Sequence, residues 1–108
     1  MTDLALKAYG ELWVSLASLL RSYTAAHGLN GDRQATVELA ENSITVRHGN
    51  NWLDLQRIES QINWRRENGL SGVLELTEAG QLQSIGGAER EELELDMAAE
   101  KWARELMR

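Results

Sequence analysis

From Thr36 to Leu82 apolar side chains recur at alternate residues, and the alternation is broken only by short polar or glycine-bearing segments. A slip of one residue would turn every side chain of a strand to the other face, so each turn can be tested by which residues it sets opposite. A two-residue turn at Glu41-Asn42 places Leu39 opposite Ile44 and Val37 opposite Val46. One at Gly49-Asn50 places Val46 opposite Leu53 and Ile44 opposite Leu55. A turn at Glu59-Ser60 sets Leu55 against Trp64, although it also brings Arg57 beside Ile62. A three-residue Glu67-Asn68-Gly69 loop with Gly69 at positive φ pairs Ile62 with Leu74 and lays Trp64 over Gly72, whereas a two-residue Asn68-Gly69 turn would oppose Ile62 with Glu75. The first register is preferred. A similar Glu78-Ala79-Gly80 loop brings Leu76 opposite Leu82 and gives a sixth short strand to about Ile85, before Gly86-Gly87 breaks the pattern.

On either side of this stretch the period changes to that of a helix. Tyr9, Leu12, Leu16, Leu19, Leu20, Tyr23 and Ala26 recur at three- and four-residue steps between Thr2 and His27, with Lys7, Glu11, Ser15, Ser18 and Ser22 opposite. Thr2 or Asp3 suits the N-cap, and Gly28 suits the left-handed residue that ends many helices. With Ala5, Leu6, Trp13 and Ala17 the apolar face covers about half the cylinder, wider than the ~100° stripe of a surface helix. At the other end Leu95, Ala98, Ala99, Trp102, Ala103 and Leu106 share a helical face, with Asp96 placed to cap it. Residues 88–95 read equally as the start of that helix or as a short strand in which Leu93 and Leu95 alternate. The expected fold is therefore α+β: an N-terminal helix, a five- to six-stranded antiparallel meander and a C-terminal helix. Both helices lie on the apolar face as a two-layer sandwich, and residues 1–108 form a single domain.

Composition removes several function classes. The 108 residues include no cysteine, which excludes disulfide frameworks, thiolate nucleophiles and cysteine-based metal sites. The stretch Leu12 to Leu20 is too short to span a bilayer, no basic segment precedes it, and a soluble cytoplasmic protein is expected. The net charge of −6 disfavours nucleic acid and membrane surfaces, with nine of the 17 acidic residues lying beyond Leu74. The acids from Glu89 to Asp96 lack calcium-loop spacing and read as a solvated, dipole-complementing run. No glycine-rich phosphate cradle is present. His27 and His48 fall in turns without a second histidine or paired carboxylates at metal-ligand spacing. Glu38 or Asp54 could serve His48 as a partner, but no nucleophile, base and orienter can be assembled. No catalytic residue, metal site or cofactor is expected.

The registers also dictate the bare face of the sheet: Glu38, Thr45, Arg47, Trp52, Asp54, Gln56, Asn63, Arg65, Ser71, Val73 and Glu75. Arg47 and Trp52 come out opposite one another, a candidate cation–π pair, and Asp54 falls opposite Arg65. Cross-strand ion pairs of this kind are ordinary sheet stabilisers. A large aromatic facing water among arginines is also the composition of an interaction hot spot, and Arg47, Trp52, Gln56 and Arg65 are the candidate partner-binding residues. Arg47, Trp52, Arg57, Arg65 and Arg66 together would make a basic aromatic patch for single strands, diluted by Glu38, Asp54, Glu67 and Glu75.

The order helix, antiparallel meander, helix in an acidic chain of this size resembles the frataxin layout. Frataxins carry Gln-x-Pro-x-x-Gln followed by an aliphatic residue and Trp. Here Gln56, Gln61 and Ile62 keep that spacing, Ile58 stands at the proline position, and Trp64 comes one residue late. The first helix bears only Asp3 and Glu11 where the family has an acidic iron-binding ridge, so no iron-handling residue carries over. The leading expectation is a non-enzymatic protein-interaction module that self-associates, partnered by protein or by its own copy. It would bind through the sheet face or through helix surface that includes Leu4 and Val14. The alternative is a small-ligand or metal-handling protein with an apolar pocket lined by Trp13, Tyr23, Trp64 or Trp102.

Overall fold

The hairpin registers expected from the alternation are all present in the protein, seen here as a computed structural model that describes residues 3–28, 35–84 and 92–107, with side chains from Lys7 onward. Helix α1 (Asp3–His27) leads into β1 (Thr36–Leu39), β2 (Ser43–His48), β3 (Asn51–Ile58), β4 (Gln61–Arg66), β5 (Ser71–Leu76), β6 (Gln81–Ser84) and β7 (Glu92–Glu94), and α2 (Leu95–Leu106) follows. The strands form one antiparallel sheet whose spatial order is the chain order, β1 to β7. Val37 pairs with Val46, Ile44 with Leu55, Leu55 with Trp64, Ile62 with Leu74, Trp64 with Gly72, and Leu76 with Leu82.

The turns follow their chemistry. Gly49 at φ 61° opens the β2–β3 turn, while Gly69 (φ 86°) and Gly80 (φ 83°) close the two three-residue loops, a conformation that costs glycine little. Glu59 occupies the corresponding position of the β3–β4 turn at φ 55°, where a Cβ is strained.

Among the described residues seven strands are present where five to six were expected. The additional strand, β7, is three residues long and pairs Leu93 with Leu82. The ambiguous segment is thus strand over 92–94 and helix from Leu95, whose N–H is tied to the Gly80 carbonyl at 3.1 Å. Residues 88–91, like Ile85 and Gly86-Gly87, lie outside the described residues. Glu94, not Asp96, is the N-cap of α2, without a side-chain cap bond. Asp96 sits in the first turn and accepts the Tyr23 hydroxyl of α1 instead. Gly28 does not adopt the left-handed conformation. A Cβ there would crowd the Thr24 carbonyl oxygen at 3.2 Å, while the Met107 Cε at 3.0 Å is the end of a flexible chain that can move aside.

Both helices pack on the same face of the sheet. Trp13, Leu16, Ala17 and Leu20 of α1 meet Ala98, Ala99, Trp102 and Leu106 of α2 in one cluster with Ile44, Val46, Leu53, Leu55, Ile62, Leu76 and Leu82. All six apolar residues expected to face inward on α2 are buried, whereas on α1 Ala26 is exposed and Thr24 is buried, its hydroxyl bonded to the Leu20 carbonyl at 2.7 Å. Arg57, the polar residue on the core face beside Ile62, has a physical use: its guanidinium lies over the Trp13 ring, 5.7 Å from the centroid, and its Nη1 donates to the Glu59 carbonyl at 3.0 Å. Stem and ring bury each other while Nη1 reaches the rim; Nε is buried with no hydrogen-bond partner among the described residues.

A candidate partner-binding surface on the open sheet face

With both helices on one side, no element among the described residues covers the other side of the sheet. Arg47, Trp52 and Arg65 come together there, with Thr45 and Asp54, around a shallow depression of about 320 Å³. Asp54 organises it: its side chain is only 16 % exposed and accepts from Arg65 Nη2 at 3.0 Å, Thr45 Oγ1 at 3.4 Å and Gln56 Nε2 at 3.4 Å. Gln56, the fourth candidate, is exposed one cross-strand row away and joins the depression only through Asp54. Arg65 is 63 % exposed, so its pair with Asp54 is worth at most about 1 kcal/mol.

Trp52 is half-buried and opposite Arg47, yet among the described residues the arginine stacked on an aromatic ring is Arg57, not Arg47. The basic patch of five is likewise divided by the sheet. Arg57 and Arg66 take core-face positions beside Ile62 and Leu53, leaving Arg47 and Arg65 on the open side with Trp52.

Arg66 is the arrangement that sequence reasoning missed. The last β3–β4 pair is Leu53 with Arg66, which leaves the Trp52 backbone one residue past the ladder. Two side chains stand in for the missing strand: the Trp52 carbonyl accepts from Arg66 Nε at 3.2 Å, and its N–H donates to Glu67 Oε1 at 3.2 Å. The Arg66 guanidinium, 9 % exposed, then bridges Glu67 at 2.9 Å and Glu105 of α2 at 3.0 Å. Burial pushes the Glu67 carboxyl up, but the hydrogen bond and charge of Arg66 and the amides of Trp52 and Asn68 outweigh it and hold it below its ordinary value. The backbone carrying Trp52 is thereby fixed to both layers.

The histidines are occupied elsewhere. His48 lies on the core face, opposite to Glu38 and Asp54, and with Asn51 it serves the C-terminus of α2. His48 Nδ1 is 3.2 Å and Asn51 Nδ2 2.9 Å from the Leu106 carbonyl. A carbonyl can only accept, so Nδ1 carries the proton, and the pair satisfies an end-of-helix acceptor. His27 reaches Glu100 at 3.5 Å. The bond to Asp96, then burial and the charges of Asp96 and Glu100, raise the Tyr23 hydroxyl above its ordinary pKa. Among the described residues no three His, Asp or Glu side chains are grouped to hold a metal ion, and no helix is long and apolar enough to cross a membrane.

Comparison with protein-family models, curated proteins and solved structures finds no match for this chain. The likeness to frataxins therefore rests on element order and the short glutamine spacing alone.

Proposed function

We propose that this chain is a non-enzymatic protein-interaction module, self-associating, that meets its partner with the open face of the sheet. The supporting observation is the depression in which Arg47 and Arg65 flank Trp52, with the Trp52 backbone held by Arg66 and Glu67. A rigid aromatic between two exposed arginines, one held only by a weak surface ion pair, is the usual composition of an interface anchor. The face also carries its charge unevenly. On β1–β4 Arg47 and Arg65 are balanced by Glu38 and Asp54, with Arg47 in no ion pair among the described residues, whereas the register puts the carboxylates Glu75, Glu92 and Glu94 together on β5–β7. In a two-fold arrangement, the symmetry of most homodimers, the arginines of one copy would meet that acidic end of the other. Among the described side chains, which do not include Leu4, the exposed large apolar ones are Val14, Ile58, Leu70 and Met97; they come from four separate segments, and of them Ile58 lies on the open face itself. Assignment to the cytoplasm belongs to the same proposal.

Sedimentation velocity over a concentration series tests it. A reversible dimer is expected that weakens with salt, weakens at least tenfold in Trp52→Ala or Arg65→Glu, and recovers when Arg65→Glu is mixed with a Glu92→Arg, Glu94→Arg double variant. A strict monomer at about 1 mM, or a dimer indifferent to these substitutions, removes self-association through this face. A second reading, a small-ligand protein, is favoured by a cavity between α2 and the sheet, taken up below.

A further inference from the structure

The outer half of the sheet and α2 frame a partly open cavity of about 150 Å³ lined by Trp64, Leu74, Leu82 and Leu93 from four successive strands and by Ala98 and Trp102 from α2, with Ser84 and Lys101 as its polar edge. Two small residues keep it open. At Gly72 a Cβ would lie 2.6 Å from Trp64 Nε1 and 2.8 Å from its Cε2, so the indole lies down across the glycine and leaves unfilled the space above. Across from it, α2 presents Ala98 rather than a larger core residue. A void of this size among leucines and indoles holds one aromatic ring.

Its edge has a sign. Ser84 is a neutral hydroxyl and Lys101 is cationic, and among the described residues no carboxylate lines the cavity, Asp96 and Glu100 lying in a separate depression on the other side of Lys101. The acids nearest Lys101 along α2 are already held: Glu100 by His27 and Arg104, and Glu105 by Arg66. Among the described residues no carboxylate oxygen lies within 4 Å of the Lys101 ammonium.

We infer that this cavity is a binding site for a small aromatic monocarboxylate, its ring between Trp64 and Trp102 and its carboxylate at Lys101 and Ser84. Apolar walls supply most of the affinity, and the lone ammonium selects an anion over a cation of equal shape. The site is on the opposite face of the sheet from the Trp52 depression and does not depend on self-association.

Titration of the full chain with benzoate, followed by the indole N–H signals of its four tryptophans in two-dimensional NMR, tests the inference. Benzoate is expected to shift the Trp64 and Trp102 signals saturably and to leave Trp52 in place, with benzylamine binding at least tenfold more weakly. Lys101→Gln, a substitution on the exposed side of α2, is expected to weaken benzoate about tenfold while leaving benzyl alcohol unchanged. Ala98→Leu is expected to abolish both by filling the void. Absence of saturable shifts up to about 10 mM benzoate, equal binding of benzylamine, or undiminished benzoate binding by Lys101→Gln would each overturn it.

Discussion

Arg66→Met should be among the most damaging single substitutions outside the apolar core. The variant keeps most of the stem that packs under β3 and deletes three donated bonds: Nε to the Trp52 carbonyl, Nη2 to Glu67 and Nη1 to Glu105. The Glu67 side chain is 19 % exposed, so losing its cation leaves a partly buried carboxylate, at about 1.5–2 kcal/mol. Glu105 is twice as exposed at 38 %, and its bond is worth about 0.5 kcal/mol. The Trp52 carbonyl, without a strand to turn to, contributes about 1 kcal/mol. The sum is about 3 kcal/mol, the lower end of what breaking a buried pair costs, and in a domain of this size it lowers Tm by about 12 °C or more. Arg65→Met is the internal control: one residue away, on the open face and 63 % exposed, it should cost less than about 1 kcal/mol. Urea unfolding with m held constant gives both numbers. Equal costs for the two variants, or a loss below about 1 kcal/mol for Arg66→Met, would refute the reading of Arg66 as a stand-in for a missing strand.

Glu59→Gly should raise stability by about 1 kcal/mol in thermal unfolding, because φ 55° strains a residue with a Cβ and the turn gives the glutamate no helix or strand to propagate. Gly72→Ala should lower it by about 1–2 kcal/mol despite the entropic advantage of alanine, since the new Cβ meets the rigid indole of Trp64 rather than a flexible chain end; the accompanying change in Trp fluorescence reports the displaced ring. The folded-state pKa of Glu67 lies below its unfolded value, so the stability it contributes is complete above the unfolded pKa and is lost as pH falls through the folded one. Acid unfolding should therefore be shallower for Glu67→Gln than for the parent from about pH 5 downward, and identical slopes would count against the pairing.

The strand registers were legible because two independent signals agreed at each hairpin: side-chain alternation and the chemistry of the turn. What escaped was decided by residues far apart in the chain. Arg57 and Arg66 have the composition of a surface patch, and only the arrival of Trp13 in one case and Glu105 in the other makes a core-face arginine favourable. Asp96 has the position of a cap, but the Tyr23 hydroxyl of another helix draws it away. His48 looked like an idle turn residue because its acceptor, the Leu106 carbonyl, is 58 residues further on. β7 is too short to carry a period, and its pairing comes from Leu82 rather than from its own pattern. On the open face Arg47, Trp52 and Arg65 lie together as the registers require, a placement that needs nothing beyond alternation. The precise support beneath Trp52 needs the loop geometry at Glu67 and the end of α2, which no alternation encodes.

A sheet laid down in chain order has consequences for how the protein reaches its native state. Each strand finds its partner a few residues away, so no crossover has to be threaded, and any one of the six hairpin-like pairings can form early and recruit the next by zipping. The demanding step is the meeting of the two chain ends, where Tyr23 must find Asp96 across 73 residues. The loop closed by that contact shortens as the strands assemble, so docking of the two helices is expected to come last and to set the refolding rate.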